Sequence, residues 1–164
     1  MTIDPTAIDI NFDPTKQIMD GYTRIGNAHF RVPFISELSY NLWQGGCRNG
    51  LALPPFVRHL VSLYPWERYD VHDDLHSMLS VVMYDSEEQS FDQVDGIAAW
   101  VNECRKDGVT LVHCQAGLNR SSLVAARVLM LEGMSADEAI KLIREKRSPA
   151  CLINPSFEAW LRAR

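Results

Sequence analysis

The 164 residues contain no Cys-x2-Cys pair. The four cysteines stand irregularly at 47, 104, 114 and 151, a pattern that fits neither a disulfide framework nor a zinc site. No apolar run reaches about 18 residues, so no membrane span is expected. Nor does the chain open with a basic stretch followed by an apolar one, so secretion is not expected either. Positive charge is scarce: 16 lysines and arginines against 21 acids leave −5, which offers RNA or an anionic membrane surface no long-range attraction. There are no internal repeats and no low-complexity tract. What remains is a chain of one-domain length, able to bury roughly 70% of its unfolded surface, for which a reducing, cytoplasmic location is expected.

Its most informative segment is His113-Cys114-Gln115-Ala116-Gly117-Leu118-Asn119-Arg120-Ser121. The apolar, β-branched run Val109-Thr110-Leu111-Val112 before it predicts a buried strand ending at Cys114. After it, Leu123, Val124, Val128 and Leu131 recur at helical spacing. A loop leaving a strand and entering a helix collects unpaired N–H groups and the positive end of the helix dipole, so it favours an anion. The same field favours a thiolate at Cys114, and a thiolate is a nucleophile. Arg120 can hold two phosphoryl oxygens in its planar fork, a geometry lysine lacks. Gly117 allows positive φ and a close backbone approach, and the Ser121 hydroxyl can donate to the departing sulfur. Gln115, Ala116, Gly117, Leu118 and Asn119 complete a ring that would bind phosphate with Arg120.

Cys-x5-Arg-Ser preceded by His resembles the phosphate loop of the protein tyrosine phosphatase superfamily, in its dual-specificity branch, and the likeness extends over about residues 22–163. It implies that Cys114 forms a phosphocysteine, Arg120 clamps the phosphate, Ser121 assists breakdown and an upstream aspartate serves as acid and then base. No metal or cofactor is implied. Asp85 is the candidate acid: it follows the apolar run Met78–Tyr84, precedes a polar loop, and stands 29 residues before Cys114. Glu87, Glu88 and Asp92 share that loop and remain alternatives, although acids at a helix start need no catalytic explanation. His113 is read as support around the cysteine's backbone. Asn154 reads both as a brace for the loop, by the resemblance, and as the N-cap of a helix with Pro155 at its first position.

The remaining patterns predict an α/β fold. It is a single domain with a largely parallel central sheet of about four to five strands flanked by helices, and the phosphate loop lies between a strand and a helix. Residues 1–21 read as an extended or loosely packed lead-in, and 22–164 as the catalytic-type domain. Strands are expected in Tyr22–Val32, with a hairpin turn at Gly26-Asn27, and at Asn41–Gln44, His59–Leu63 and Met78–Tyr84. Helices are expected at Phe91–Lys106, Ser121–Leu131, after the capping box Ser135-Ala136-Asp137-Glu138, and at Pro155–Leu161. His72, Asp73, Asp74 and His76 are metal-ligand types, but a polar loop with no third histidine nearby is the simpler reading. The tryptophans read as packing residues, with Trp66, in an aromatic loop, the exception. Cys47, Cys104 and Cys151 read as inert thiols; a protective disulfide with Cys114 is the alternative.

The leading expectation is a dual-specificity protein phosphatase acting on phosphotyrosine and phosphoserine/threonine. RNA 5′ ends, phosphoinositides or another small phosphate ester are the alternative substrates. The five residues between Cys114 and Arg120 include no cation, which weighs against polyanionic lipids. Arg48, Arg58, Arg68, Arg144, Lys146 and Arg147 are candidates for a basic patch elsewhere. A thiol-dependent arsenate reductase and a phosphate-binding module without turnover are further alternatives, against which Ser121 and Asp85 argue.

Overall fold

The computed structural model describes residues 12–164. In chain order the elements are β1 (Ile18–Tyr22), β2 (His29–Pro33), β3 (Ile35–Ser39), β4 (Leu42–Gly45), β5 (Val57–Ser62), β6 (Ser77–Ser80), α1 (Val94–Asp107), β7 (Val109–His113), α2 (Arg120–Leu131), α3 (Ala136–Lys146) and α4 (Pro155–Arg162). Strands β3-β4-β7-β5-β6 form one sheet, parallel except for the β3–β4 edge, and β1 pairs with β2 in a separate antiparallel hairpin. The expected parallel α/β domain is thus found, with a five-stranded central sheet and four helices among the described residues.

β7 lies at the centre because its composition suits nothing else. Four of its five residues are buried, as a parallel strand covered on both faces requires. Successive side chains point to opposite faces. Val112 joins a core built with all four helices, while Leu111 joins a second core with Phe34, Ile35, Leu51, Leu53 and Tyr69 that contains no helical residue. The helices therefore cover one face rather than flanking the sheet, and loops and strand ends close the other.

Several boundaries differ from expectation. β1 begins at Ile18, so the break between residues 21 and 22 falls inside a paired strand; residues 1–11 of the lead-in lie outside the described residues. The hairpin turn is longer than two residues. Thr23 receives the Ala28 N–H on its hydroxyl at 2.8 Å and gives its own N–H to the Ala28 carbonyl, with Gly26 and Asn27 at φ +78° and +47°. β3 has no counterpart among the predicted strands. The run Met78–Tyr84 is strand only to Ser80; beyond it Val81 and Met83 still donate to Ser62 and Leu63, but the chain departs toward the acid-bearing loop. α1 starts at Val94, three residues later than Phe91, which instead stacks on Trp160 at 5.1 Å.

The capping box is present. Glu138 N–H reaches the Ser135 hydroxyl at 3.1 Å, and the Ser135 N–H donates to the Glu138 carboxylate at 2.8 Å. Ser135→Ala is expected to cost about 1 kcal/mol of stability, read as a lower urea midpoint at unchanged slope; an unchanged midpoint would mean that α3 is held by packing alone.

Candidate active site

The loop Cys114–Asn119 is shaped by what happens to its carbonyls. Gln115 O accepts from the Cys47 N–H at 3.0 Å, Leu118 O from Leu152 N–H at 2.8 Å, and Asn119 O from Leu123 N–H at 2.8 Å. Ala116 O accepts from Arg147 Nη2 at 3.0 Å, and Gly117 O from both Arg147 Nε and Gln44 Nε2, each at 2.6 Å. With every one of these carbonyls tied to the surrounding scaffold, the opposite ends of the peptide units are left to turn toward the loop's centre, an arrangement of donors that suits an anion. Gly117 N–H donates to Cys114 Sγ at 3.3 Å.

Two close approaches make glycine necessary here. Gly117 sits at φ +69°, and a Cβ on it would lie 2.2 Å from the Gly45 carbonyl carbon; a Cβ on Gly46 would lie 2.5 Å from Gln115 O. The end of β4 and the loop are in backbone contact, so a methyl group at either position would push the nest open. Leu152 takes φ +58°, a conformation costing an ordinary residue about 1–2 kcal/mol, and from it delivers the N–H that holds Leu118 O.

Cys114, 2% exposed, lies at the floor of a cleft of about 770 Å³ lined by Tyr22, Thr23, Arg24, Phe30, Tyr64, Trp66, Tyr84, Asp85, Ser86, Glu88 and the loop through Arg120. Ser121 Oγ accepts from the Cys114 thiol at 3.3 Å and from Gln44 Nε2 at 2.8 Å, and its own proton is available to the sulfur when that is ionised. Arg120 Nη1 donates to Met83 O at 3.2 Å, and its guanidinium lies over the Tyr64 ring, 5.1 Å from the centroid. Its buried Nε has no partner among the described residues; a phosphoryl oxygen is an acceptor of suitable charge for it.

Asp85 is joined to the loop by amides. Asn119 Nδ2 donates to Oδ2 and Asn154 Nδ2 to Oδ1, both at 2.9 Å, while Asn154 N–H donates to Asn119 Oδ1 at 3.1 Å. Asn154 also accepts from Ser156 N–H at 3.1 Å as the N-cap of α4, the local reading of this residue, while its contacts with Asn119 and Asp85 set it beside the loop. Glu88 lines the cleft as well, whereas Glu87 and Asp92 are not among its lining residues.

His113 Nδ1 lies 3.1 Å from Cys114 O, and its ring meets Tyr69 edge-on at 5.3 Å. The Tyr69 hydroxyl in turn donates to Gly46 O. Burial pushes His113 down to about 4, so it is neutral at physiological pH and Nδ1–H donates to the carbonyl. Burial also raises the thiols of Cys47, to about 12, and of Cys104 and Cys151. All four cysteines are free.

Gln44, Arg147 and Tyr69 were not foreseen as site residues. For Gln44 the signal was a polar residue inside an otherwise apolar strand. Arg147 was grouped with exposed cations, but it is 7% exposed and also donates to Pro33 O at 2.8 Å and Ser36 Oγ at 3.0 Å. Burial lowers its pKa, opposed by the nearby Cys151 and Cys114 sulfurs; it places a positive charge behind the nest. Arg144 is likewise engaged, donating to Cys151 O, Leu152 O and Glu158. Arg147 is therefore not part of a surface basic patch.

Arg147→Met is expected to lower kcat for an aryl phosphate on the order of 10²-fold, as displacement of reacting groups by about 1 Å does. Far-ultraviolet circular dichroism should be preserved and Arg147→Lys should recover part of the rate; an unaffected kcat would mean the loop holds its shape without this side chain. His113 provides a stability test. The unfolded state binds its proton near 6.5 and the folded state only near 4. Stability therefore rises with pH through this window, and the penalty, about 3 kcal/mol, is full below pH 4 and absent above 6.5. His113→Asn is expected to flatten the dependence of the urea midpoint between pH 4 and 6.5; the same slope in both proteins would exclude this histidine as its source.

A model of the dual specificity phosphatase catalytic domain matches residues 58–164. A rhodanese domain-containing dual specificity protein phosphatase of Dictyostelium discoideum is 30% identical over 104 residues, covering 62% of this chain and 21% of that protein. Dual specificity protein phosphatase 19 of Mus musculus is 41% identical over 58 residues, covering 35% and 26%. The chain thus spans about a quarter or less of the length of these relatives. Among solved structures, a mouse dual specificity phosphatase superposes with a TM-score of 0.71 at 22% identity, over 80% of this chain and 86% of that one. Human DUSP28 superposes at 0.69 and 20%, over 78% and 93%. With the family model matched across the nucleophile loop, both its flanking elements and the C-terminal helices, the chain belongs to the dual specificity phosphatase family.

Proposed function

We propose that this chain hydrolyses phosphate monoesters on proteins, at phosphotyrosine and phosphoserine/threonine, through a phosphocysteine intermediate. The observation that carries the reading is the convergence on one sulfur. Gly117 N–H and the Ser121 hydroxyl meet Sγ, and the unpartnered Arg120 Nε belongs to the same cleft. Cys114 attacks phosphorus and the P–O bond to the leaving group breaks. Asp85 gives that oxygen its proton. Loop amides and Arg120 hold the equatorial oxygens as charge redistributes. Water then attacks phosphorus and loses its proton to Asp85, and the S–P bond breaks with Ser121 donating to the sulfur.

The cleft suits a phosphorylated side chain better than a polyanion. Its cations, Arg24 and Arg120, are balanced by Asp85 and Glu88, while Tyr22, Tyr64, Trp66 and Tyr84 provide an aromatic rim for an apolar or aryl group next to the ester. No helix of the described residues is long and apolar enough to cross a membrane. A reducing compartment keeps Cys114 active, and the cytoplasm is the location we propose.

The deciding measurement is phosphate release by the parent and Cys114→Ser proteins, with reductant and chelator. The panel comprises phosphotyrosine and phosphothreonine peptides, inositides and 5′-triphosphate RNA. Peptide turnover by the parent and none by Cys114→Ser is expected; turnover confined to RNA or inositides would replace the substrate class, and activity in Cys114→Ser would remove the covalent route. Asp85→Asn should slow alkyl phosphates by about 10²–10⁴-fold and aryl phosphates less. Equal losses would mean that Asp85 is not the acid.

A further inference from the structure

Away from the cleft, near the opposite end of the sheet, three metal-ligand side chains meet. His59 Nε2 and His76 Nδ1 both lie against Asp107 Oδ2, at 2.7 and 2.6 Å, and the three atoms are within 4.8 Å of one another. His59 is on β5, three residues before the Ser62 that pairs with His113, so it sits about 10 Å along the strand from the nucleophile end. His76 immediately precedes β6, and Asp107 ends α1 just before β7.

We propose that His59, His76 and Asp107 form a binding site for a divalent transition-metal ion, zinc by the chemistry of the donors, with water completing the coordination. Two imidazoles and a carboxylate form a ligand set that zinc accepts with a position left open. Around a tetrahedral ion at 2.0–2.1 Å the donor atoms stand roughly 3.3 Å apart, so the carboxylate must retreat by less than about 1 Å. It is free to do so, since the Asp107 side chain is 56% exposed and that of His76 50%, which also gives the ion its route in. His59 is the fixed member: its side chain is 8% exposed, packed edge-on to Trp100, with Nδ1 2.6 Å from the Ser77 hydroxyl. On binding an ion, Nε2 would give up the hydrogen it points at Asp107 and Nδ1–H would donate to Ser77, the arrangement by which an outer partner sets a ligating histidine's tautomer. His72 takes no part, since its Nε2 faces Pro54 O at 3.0 Å; the third ligand came from another strand.

Such an ion would join the N-terminal ends of β5 and β6 to the α1–β7 connection. Its role would be to hold the entrance to the central strand, apart from the phosphatase chemistry. The test is zinc chloride titrated calorimetrically into metal-free Cys114→Ser protein, which removes the catalytic sulfur as a competing ligand. Saturation at one ion per chain is expected, with a rise in the thermal midpoint. His76→Ala and Asp107→Asn, both at exposed side chains, should each weaken binding at least tenfold and abolish that rise. Cobalt in place of zinc should give visible bands without a thiolate-to-metal charge-transfer band. Absence of saturable binding to Cys114→Ser, unchanged affinity in both variants, or a thiolate band would overturn the proposal.

Discussion

The site depends on the outward anchoring of the phosphate loop's carbonyls. A peptide unit has two poles, and fixing one decides where the other points. Four different parts of the chain hold these carbonyls: Cys47 beyond β4, Gln44 within it, Leu152 and Arg147 after α3, and Leu123 in α2. None of these residues lines the cleft, yet together they turn an irregular loop into a concave surface of donors. The donors are in place before any anion arrives, so little reorganisation is left for the moment when charge shifts.

Arg147 has the unusual part in this arrangement. A buried cation ordinarily needs an anion beside it, but this one is surrounded by carbonyl and hydroxyl oxygens and two thiols. Its charge meets no carboxylate in those contacts, and it stands behind the loop whose carbonyls it holds. The two oxygens it holds in the loop, Ala116 O and Gly117 O, are what the desolvated guanidinium receives in place of water. The Asp85–Asn119–Asn154 bridge works by geometry in the same region: a residue of the loop and the cap of α4 hold the carboxyl group between them.

What could be read from the chain was what is encoded locally. The strand ending at Cys114, the helix after it, the capping box and the Gly117 requirement all follow from residues within a few positions of one another. Asn154 could be read twice because its role as cap is local. Gln44 and Arg147 act across separations of 73 and 30 residues, and nothing in their neighbourhoods says which carbonyl they will meet. The same is true of His59, whose partner His76 was visible while the joining of β5, β6 and α1 was not. β3 escaped notice because Glu37 and Ser39 interrupt its apolar pattern, and its place at an antiparallel edge tolerates them. The run after Ser80 has a strand's pattern without being one, because periodicity reports burial of a side chain, not the presence of a neighbouring strand to pair with.

The β1–β2 hairpin belongs to neither the central sheet nor the helical layer by strand pairing, yet Tyr22, Thr23, Arg24 and Phe30 form one wall of the cleft. The opposite floor is anchored to the most deeply buried strand. On the proposed function, the residues that would meet a substrate beyond its phosphate and those that would act on the phosphate therefore belong to separate structural units, and drift in the first need not pass through a damaged form of the second. A fold divided in this way can acquire new clients by altering a surface ribbon while its chemistry stays under the constraint of the core.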